Sequence, residues 1–197
     1  MLRRLPVYLL IDCSGSMKGD RIHKARVGVD SIVEAFLGSP AALEYACLSV
    51  ITFENEAKVL TPLTPLMDFK TPDFSVSPDG GGSFLGAALE LLEKRVQMEV
   101  QRKDATHRGD WPPLVFILTD GKPSDTAAYK RMARRIRAGE IREIRPQNII
   151  ACIAGRNREV KALLELADTV LPLSDLTSQY IYYSFYDDDN ELFYSSF

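Results

Sequence analysis

The chain alternates short, almost wholly apolar runs with longer segments in which apolar residues recur every three or four positions. The apolar runs at residues 5–11, 114–118 and 149–154 are typical of strands that are covered on both faces, as in parallel sheets. The segments 22–36 and 85–96 have the spacing of amphipathic helices. Strands and helices in alternation predict an α/β fold, Rossmann-like and doubly wound, with a mostly parallel central sheet and helices on both faces.

One pair of strands departs from this alternation. Residues 43–53 and 56–63 are both strand-like, and only Glu54 and Asn55 separate them. This is the length of a tight hairpin, and asparagine tolerates the positive φ that such turns require. We therefore expect one antiparallel edge strand. The prolines that follow predict a loop-rich passage over residues 64–79.

Composition narrows the class of protein. The 197 residues are 46% hydrophobic with a net charge of −3, which is ordinary for a globular chain and points to neither nucleic acid nor membrane. The first apolar run is too short to span a bilayer, and no small-residue cleavage site follows it, which predicts a cytoplasmic protein. Cys13, Cys47 and Cys152 have no close pair, so we expect buried free thiols.

Oxygen-bearing side chains cluster where predicted strands end or a helix begins. Asp12, Ser14 and Ser16 follow the first strand at intervals of two residues, Asp120 follows the strand 114–118, and Ser83 follows three glycines. In parallel sheets the carboxyl ends of strands share one edge, where sites form. Donors that are all oxygen suit a hard cation such as magnesium, calcium or manganese.

A simpler interpretation of these residues is structural. Ser14, Ser16 and Ser83 are also typical helix caps, and Asp12 is a typical turn residue. If they bind a metal, the two carboxylates and three hydroxyls supply at most five side-chain oxygens, whereas magnesium takes six. At least one position is then left for water or for the carboxylate of a partner.

The order of these motifs identifies a family resemblance. Three segments together resemble the metal-ion-dependent adhesion site (MIDAS) of von Willebrand factor A (VWA) domains. They are Asp12-x-Ser14-x-Ser16, Ser83 after the glycines, and Thr119-Asp120-Gly121. Further phrases resemble the stand-alone bacterial TerY type, which is associated with tellurite resistance, so that the likeness covers residues 5–173. These phrases are Leu5-Pro6-Val7-Tyr8-Leu9-Leu10, Leu48-Ser49-Val50-Ile51-Thr52-Phe53, Leu85-Gly86-Ala87-Ala88-Leu89 and Gly109-Asp110-Trp111 running into Leu114-Val115-Phe116.

The resemblance implies the VWA fold and a function. Ser14, Ser16 and Ser83 would bind the metal directly. Asp12 and Asp120 would bind it either directly or through a water molecule. The family usually has threonine where Ser83 stands. The implied cofactor is a divalent cation, Mg²⁺ first and Mn²⁺ or Ca²⁺ as alternatives. The implied activity is binding of a partner's acidic residue, without catalysis, in a bacterial tellurite- or stress-resistance system that in some cases includes a kinase and a phosphatase.

Two other functions use the same residues. A magnesium-dependent phosphohydrolase or phosphotransfer enzyme would use Asp12 as nucleophile, with Lys122 as the nearby lysine. However, haloacid-dehalogenase phosphatases have a second aspartate where this chain has Ser14. A serine or cysteine hydrolase is disfavoured because Ser14 lacks the glycines of a nucleophile elbow and only His23 or His107 could act as the base. A structural module with an unused site is the third interpretation.

The composition changes at Tyr180, so we divide the chain into a VWA domain at residues 1–179 and an aromatic and acidic tail at 180–197. The start of the tail is predicted to be a final helix, and the rest to be ordered by a partner or a second copy. Self-association would follow if an acidic residue of the tail bound the metal of a neighbouring copy. The candidate acidic residues are Asp187, Asp188, Asp189 and Glu191.

Two further patterns receive structural interpretations. Basic residues crowd one face of the helix after Asp120, but Glu140 and Glu143 interrupt them, and we expect a solvated face rather than a nucleic-acid site. Arg108-Gly109-Asp110 spells an integrin-binding tripeptide, which we interpret as part of the connector 103–113. The basic residues are Lys130, Arg131, Arg134, Arg135 and Arg137, followed by Arg142 and Arg145.

Overall fold

The computed structural model describes residues 3–106, 108–121, 123–155 and 160–185, with the backbone alone for 182–185. Within these ranges, six strands form one sheet and six helices flank it. The strands are β1 (Leu5–Asp12), β2 (Ala46–Phe53), β3 (Ala57–Pro65), β4 (Leu114–Thr119), β5 (Ile149–Ile153) and β6 (Thr169–Pro172). The helices are α1 (Asp20–Leu37), α2 (Pro40–Tyr45), α3 (Leu85–Glu99), α4 (Thr126–Arg137), α5 (Val160–Leu164) and α6 (Ser178–Phe185).

The strand order is β3-β2-β1-β4-β5-β6. All neighbouring strands are parallel except β2 and β3, which form the antiparallel hairpin at one edge. This confirms the predicted α/β fold and its single antiparallel edge strand. The chain extends from β1 to β2 and β3 on one side and then continues at β4 on the other, so the order reverses between β1 and β4. Crevices at such reversals lie at the carboxyl ends of the strands, where ligands bind in open α/β sheets.

The central strand has apolar side chains on both of its faces. Leu9 and Ile11 of β1 pack in the layer that contains α1, whereas Tyr8 and Leu10 pack in the layer that contains α3 and α4. All four side chains are fully buried. Because successive side chains of a strand point to opposite faces, a strand covered twice has no polar alternation. This explains the unbroken apolar run in the sequence.

The strand predicted over residues 43–53 begins later than expected. Residues up to Tyr45 form the short helix α2, and β2 begins at Ala46. The hydroxyl of Ser39 accepts a hydrogen bond from the amide of Ala42, and Pro40 occupies the first helical position. A capping serine followed by proline is a helix-start signal, and here it prevails over the short apolar run.

The chain after β6 forms the predicted final helix, α6, on the α1 side of the sheet. Ile181 of this helix is fully buried in the core. The predicted boundary between residues 179 and 180 falls within α6, and the division into domain and tail stays a prediction. Residues 186–197, including Asp187, Asp188, Asp189 and Glu191, lie outside the described residues.

The cysteines are as expected from their spacing. Cys13, Cys47 and Cys152 are buried and form no disulfide. In the part of the chain that the structure describes, no helix combines the length and the apolar character needed to cross a bilayer.

A close contact between α3 and α4 generates a prediction about Gly86. A Cβ atom at this position would lie 2.4 Å from the backbone nitrogen of Tyr129. Helix propensity alone favours alanine over glycine by about 1 kcal/mol, but overpacking of a core costs about 1–3 kcal/mol. Because a 2.4 Å contact with backbone lies at the upper end of that cost, we expect Gly86→Ala to lower the free energy of unfolding by about 2 kcal/mol in urea denaturation followed by circular dichroism.

Gly38→Ala is the matched control. Gly38 ends α1 with a φ of −72°, and a Cβ there would meet its nearest atom, the Glu34 carbonyl oxygen, at an ordinary 3.4 Å. Its free energy of unfolding should stay within about 0.5 kcal/mol of the native value. Equal stability of the two variants would contradict the close packing of α3 on α4.

Candidate metal centre

The Asp12 carboxylate stands at the carboxyl end of β1 and has no exposed surface. Its Oδ1 accepts a hydrogen bond from the backbone amide of Ser14 at 2.9 Å. Its Oδ2 accepts from the hydroxyls of Ser83 at 2.7 Å and Thr119 at 2.6 Å. One carboxylate therefore joins the loop after β1, the segment before α3 and the end of β4.

The other predicted donors continue this network toward the surface. The hydroxyls of Ser14 and Ser16 lie 3.1 Å apart, and Ser16 donates to Oδ1 of Asp120 at 2.8 Å. Since a hydroxyl carries one proton, Ser14 is the donor to Ser16. The structure thus brings together all five residues that the sequence singled out: Asp12, Ser14, Ser16, Ser83 and Asp120.

Glycines allow the Ser83 segment to approach the loop after β1. The amide of Gly15 donates to the carbonyl of Gly81 at 3.0 Å. A Cβ on Gly15 would lie 2.9 Å from the Cα of Gly80, which itself has a φ of +68°. Side chains at these positions would separate the two loops, so the glycines are required for Ser83 to reach Asp12.

The helix-cap interpretation of the serines is wrong. The hydroxyls of Ser14, Ser16 and Ser83 make no capping hydrogen bond, and α1 begins after Gly19. The start of α3 is capped instead by Asp125, whose carboxylate accepts from the amides of Gly86 at 3.1 Å and Ala87 at 2.8 Å. The serine hydroxyls are consequently available for the network at the rim.

The charge of Asp12 has no partner cation among the residues that the structure describes. Burial raises the pKa of Asp12, and the hydrogen bonds from Ser14, Thr119 and Ser83 oppose that rise. Among the described residues, no basic side chain forms an ion pair with this carboxylate. A buried charge without a counterion is costly, and a cation bound beside it would remove part of that cost. The donors are carboxylate and hydroxyl oxygens, so the residues fit a hard divalent cation.

The sequence reasoning missed two contributors to this centre. Thr119 directly precedes Asp120 at the end of β4, and its place in the motif was the signal that could have identified it. Arg21 of α1 pairs with the Asp120 carboxylate and donates to the carbonyl of Ser16 at 2.8 Å. No sequence signal distinguishes Arg21 from other surface arginines. With Lys24, it lines a cavity of about 760 Å³ that adjoins Asp120.

The groups considered for catalysis do not form a catalytic arrangement in the described residues. No described histidine hydrogen-bonds to Ser14, and His23 is an exposed residue of α1. Burial and the charge of Asp12 raise the pKa of the Cys13 thiol to about 12, which disfavours a thiolate nucleophile. His107 and Lys122 lie outside the described residues.

Comparisons with known proteins agree with this architecture. The family model of the von Willebrand factor type A domain matches residues 7–169. No curated protein matches the chain. Among solved structures, proximal thread matrix protein 1 (PTMP1) from the mussel byssus is 18% identical, with a TM-score of 0.62 over 91% of this chain and 47% of that one. The chain therefore spans about half the length of that relative.

Other structures show the same fold at low identity. The ArnB paralog VWA2 from Sulfolobus acidocaldarius is 19% identical, with a TM-score of 0.55 over 89% of this chain and 43% of that one. The SpRpn10 VWA domain is 17% identical, with a TM-score of 0.54 over 88% and 93%. Another structure of PTMP1, 13% identical with a TM-score of 0.54 over 90% of this chain and 46% of that one, is described with a zinc-occupied MIDAS motif.

The contact between Thr119 and Asp12 generates a prediction for stability. Thr119→Val keeps the shape of the side chain but removes a hydroxyl donor to a fully buried carboxylate. Hydrogen bonds to charged groups contribute about 1.5–3 kcal/mol, and we expect a loss of this size in urea unfolding with a chelator present. Thr119→Ser retains the hydroxyl and should lose clearly less. Equal losses in the two variants would contradict a role for this hydroxyl.

Proposed function

The chain belongs to the von Willebrand factor type A family, and from this membership we propose that its rim site holds one divalent cation that binds an acidic side chain of a protein partner. The observation that carries the proposal is the hydrogen-bond network that links the other four predicted donors to the fully buried carboxylate of Asp12. The proposed metal-binding residues are Asp12, Ser14, Ser16, Ser83 and Asp120.

The hydrogen bonds support a distinct role for each group. Ser83 donates its proton to Asp12 and Ser16 donates its proton to Asp120, so each hydroxyl oxygen keeps lone pairs for a cation. We assign direct binding to Ser14, Ser16 and Ser83. Asp12 and Asp120 orient these hydroxyls and supply the negative charge that a divalent cation requires.

The donor set also favours an acidic partner. Two carboxylates balance a doubly charged ion, but Asp120 is shared with Arg21 and Asp12 is already engaged by three donors. Three hydroxyl oxygens bound directly leave three positions of an octahedral ion for water or for a partner's carboxylate. A carboxylate is the protein group that best fills an open position on a hard cation.

We propose Mg²⁺ as the first candidate metal, with Mn²⁺ and Ca²⁺ as alternatives. The zinc-occupied MIDAS of PTMP1 adds Zn²⁺ to the ions worth testing. We further propose a non-enzymatic role in a TerY-like bacterial tellurite- or stress-resistance system in the cytoplasm. Support for that role comes from the sequence phrases that resemble the TerY type.

Removal of either carboxylate tests the metal site. We expect Asp12→Asn and Asp120→Ala each to weaken binding of Mg²⁺ or Mn²⁺ about 10- to 100-fold in isothermal titration calorimetry, since both carboxylates orient the hydroxyls and supply negative charge. The control is Asp168→Ala, which removes a carboxylate that pairs with Arg137 just before β6. Native-like affinity in both rim variants would reject the site.

The binding function is tested separately from metal binding. A partner captured from native lysate should require Mg²⁺, be lost with chelator, and be lost again with Asp120→Ala. The captured partner should then fail to bind once its contacting acidic residue is changed to the amide. Hydrolysis of a generic aryl phosphate that needs both Mg²⁺ and Asp12 would instead favour the phosphohydrolase.

A further inference from the structure

A cavity of about 400 Å³ lies at the end of the sheet opposite the metal centre. Its wall comes from the chain before β1, the segment after α3, the connector before β4 and the segment before β5. The eight residues of β1 separate the two ends by roughly 25 Å. We call it the basic cavity, after the basic residues that line it with Trp111. They are Arg3, Arg102, Lys103, Arg108, Arg142 and Arg145.

The acidic residues in the wall of the basic cavity are already engaged. Asp110 accepts hydrogen bonds from Arg4 at 2.6 and 3.1 Å and from the amide of Gln101 at 2.8 Å. Glu143 pairs with Arg102 at 2.7 Å. Within the described ranges, the other five basic residues of the wall form no ion pair. These five residues form a marked local excess of positive charge in a chain whose net charge is −3.

Arg3 shows the effect of this excess. Its guanidinium carbon lies 5.2 Å from the centroid of the Trp111 ring. Burial lowers the pKa of Arg3, the positive charge of Arg108 lowers it further, and Asp110 only partly opposes them. The Nε of Arg3 and the Nε1 of Trp111 are buried N–H donors that meet no acceptor among the described residues. Such donors are rare in proteins, and an anion in the cavity would add acceptor oxygens beside them.

The tripeptide Arg108-Gly109-Asp110 belongs to this wall. The Asp110 side chain is 1% exposed, which makes it inaccessible to an integrin-type receptor. Gly109 has a φ of +72°, and a Cβ there would lie 2.5 Å from the backbone nitrogen of Lys103. The turn that only glycine permits thus holds Asp110 against Arg4 and leaves Arg108 in the cavity wall.

We propose that the basic cavity binds a small ligand that carries a phosphate group. Guanidinium groups bind phosphate through paired, charge-assisted hydrogen bonds, and the wall offers several with no acid partner. An extended nucleic acid would need the basic surface to continue beyond the cavity. On α4 most of this charge is neutralised, because Arg131 pairs with Glu90, Arg135 with Glu93 and Arg137 with Asp168. A concave site favours a compact anion.

Trp111 provides the measurement because it is the only tryptophan in the sequence. The full chain is titrated with inorganic phosphate, pyrophosphate and adenosine monophosphate at constant ionic strength, with chelator present, and tryptophan fluorescence is recorded. We expect a saturable change with at least one phosphate compound. The preferred compound distinguishes free phosphate from a phosphate ester. A response identical to that of sodium chloride would overturn the proposal.

Two variants make the assignment specific. Arg108→Ser removes from the wall an exposed guanidinium that forms no ion pair with any described residue, and it should weaken binding about tenfold or more. Arg134→Ser removes the same charge from the exposed face of α4 and should bind like the native chain. Equal weakening in both variants would show a non-specific charge effect and reject the site. Tighter binding of a single-stranded oligonucleotide than of any small phosphate would also reject it.

The test is independent of the metal centre. Asp120→Ala should bind the phosphate compound as the native chain does, since the two sites lie at opposite ends of β1. Loss of phosphate binding in Asp120→Ala would contradict a separate site.

Discussion

The buried carboxylate of Asp12 is the group on which the upper rim of the molecule depends. It stands at the carboxyl end of the central strand, out of contact with solvent, and accepts hydrogen bonds from Ser14, Ser83 and Thr119. Each donor belongs to a different segment of the chain. Because a buried charge must be satisfied from all sides, these segments are held at one point.

The core and the rim are linked through α3. Ser83 lies just before this helix, and its amide donates to the hydroxyl of Ser124 at 3.1 Å. Asp125 caps the first turn of α3 from the start of α4, and Gly86 lets the two helices pack closely. The position of Ser83 at the rim therefore depends on helix packing below it. A substitution in the core between α3 and α4 should therefore shift Ser83 even when no residue of the site is altered.

Charge is distributed unevenly over the molecule. Acidic side chains and hydroxyls meet at the carboxyl ends of the strands, whereas five arginines and Lys103 line the basic cavity at the other end. On α4 the arginines that face α3 are neutralised by Glu90 and Glu93. The net charge of −3 does not reveal this arrangement, because it sums an acidic region and a basic region.

The sequence by itself determined the main strands and helices, although not α2, together with the antiparallel edge strand and the five oxygen donors that meet at the rim. The elements follow from periodicity, and the donors from their places at the ends of predicted strands or before a helix and from their resemblance to a known motif. Only the tertiary structure decided the roles of Thr119, Arg21 and Asp125 and the position of the basic cavity. Asp12 and Thr119 are 107 residues apart, and Asp125 and Gly86 are 39 apart. Contacts over such separations arise from packing, for which local patterns carry no signal.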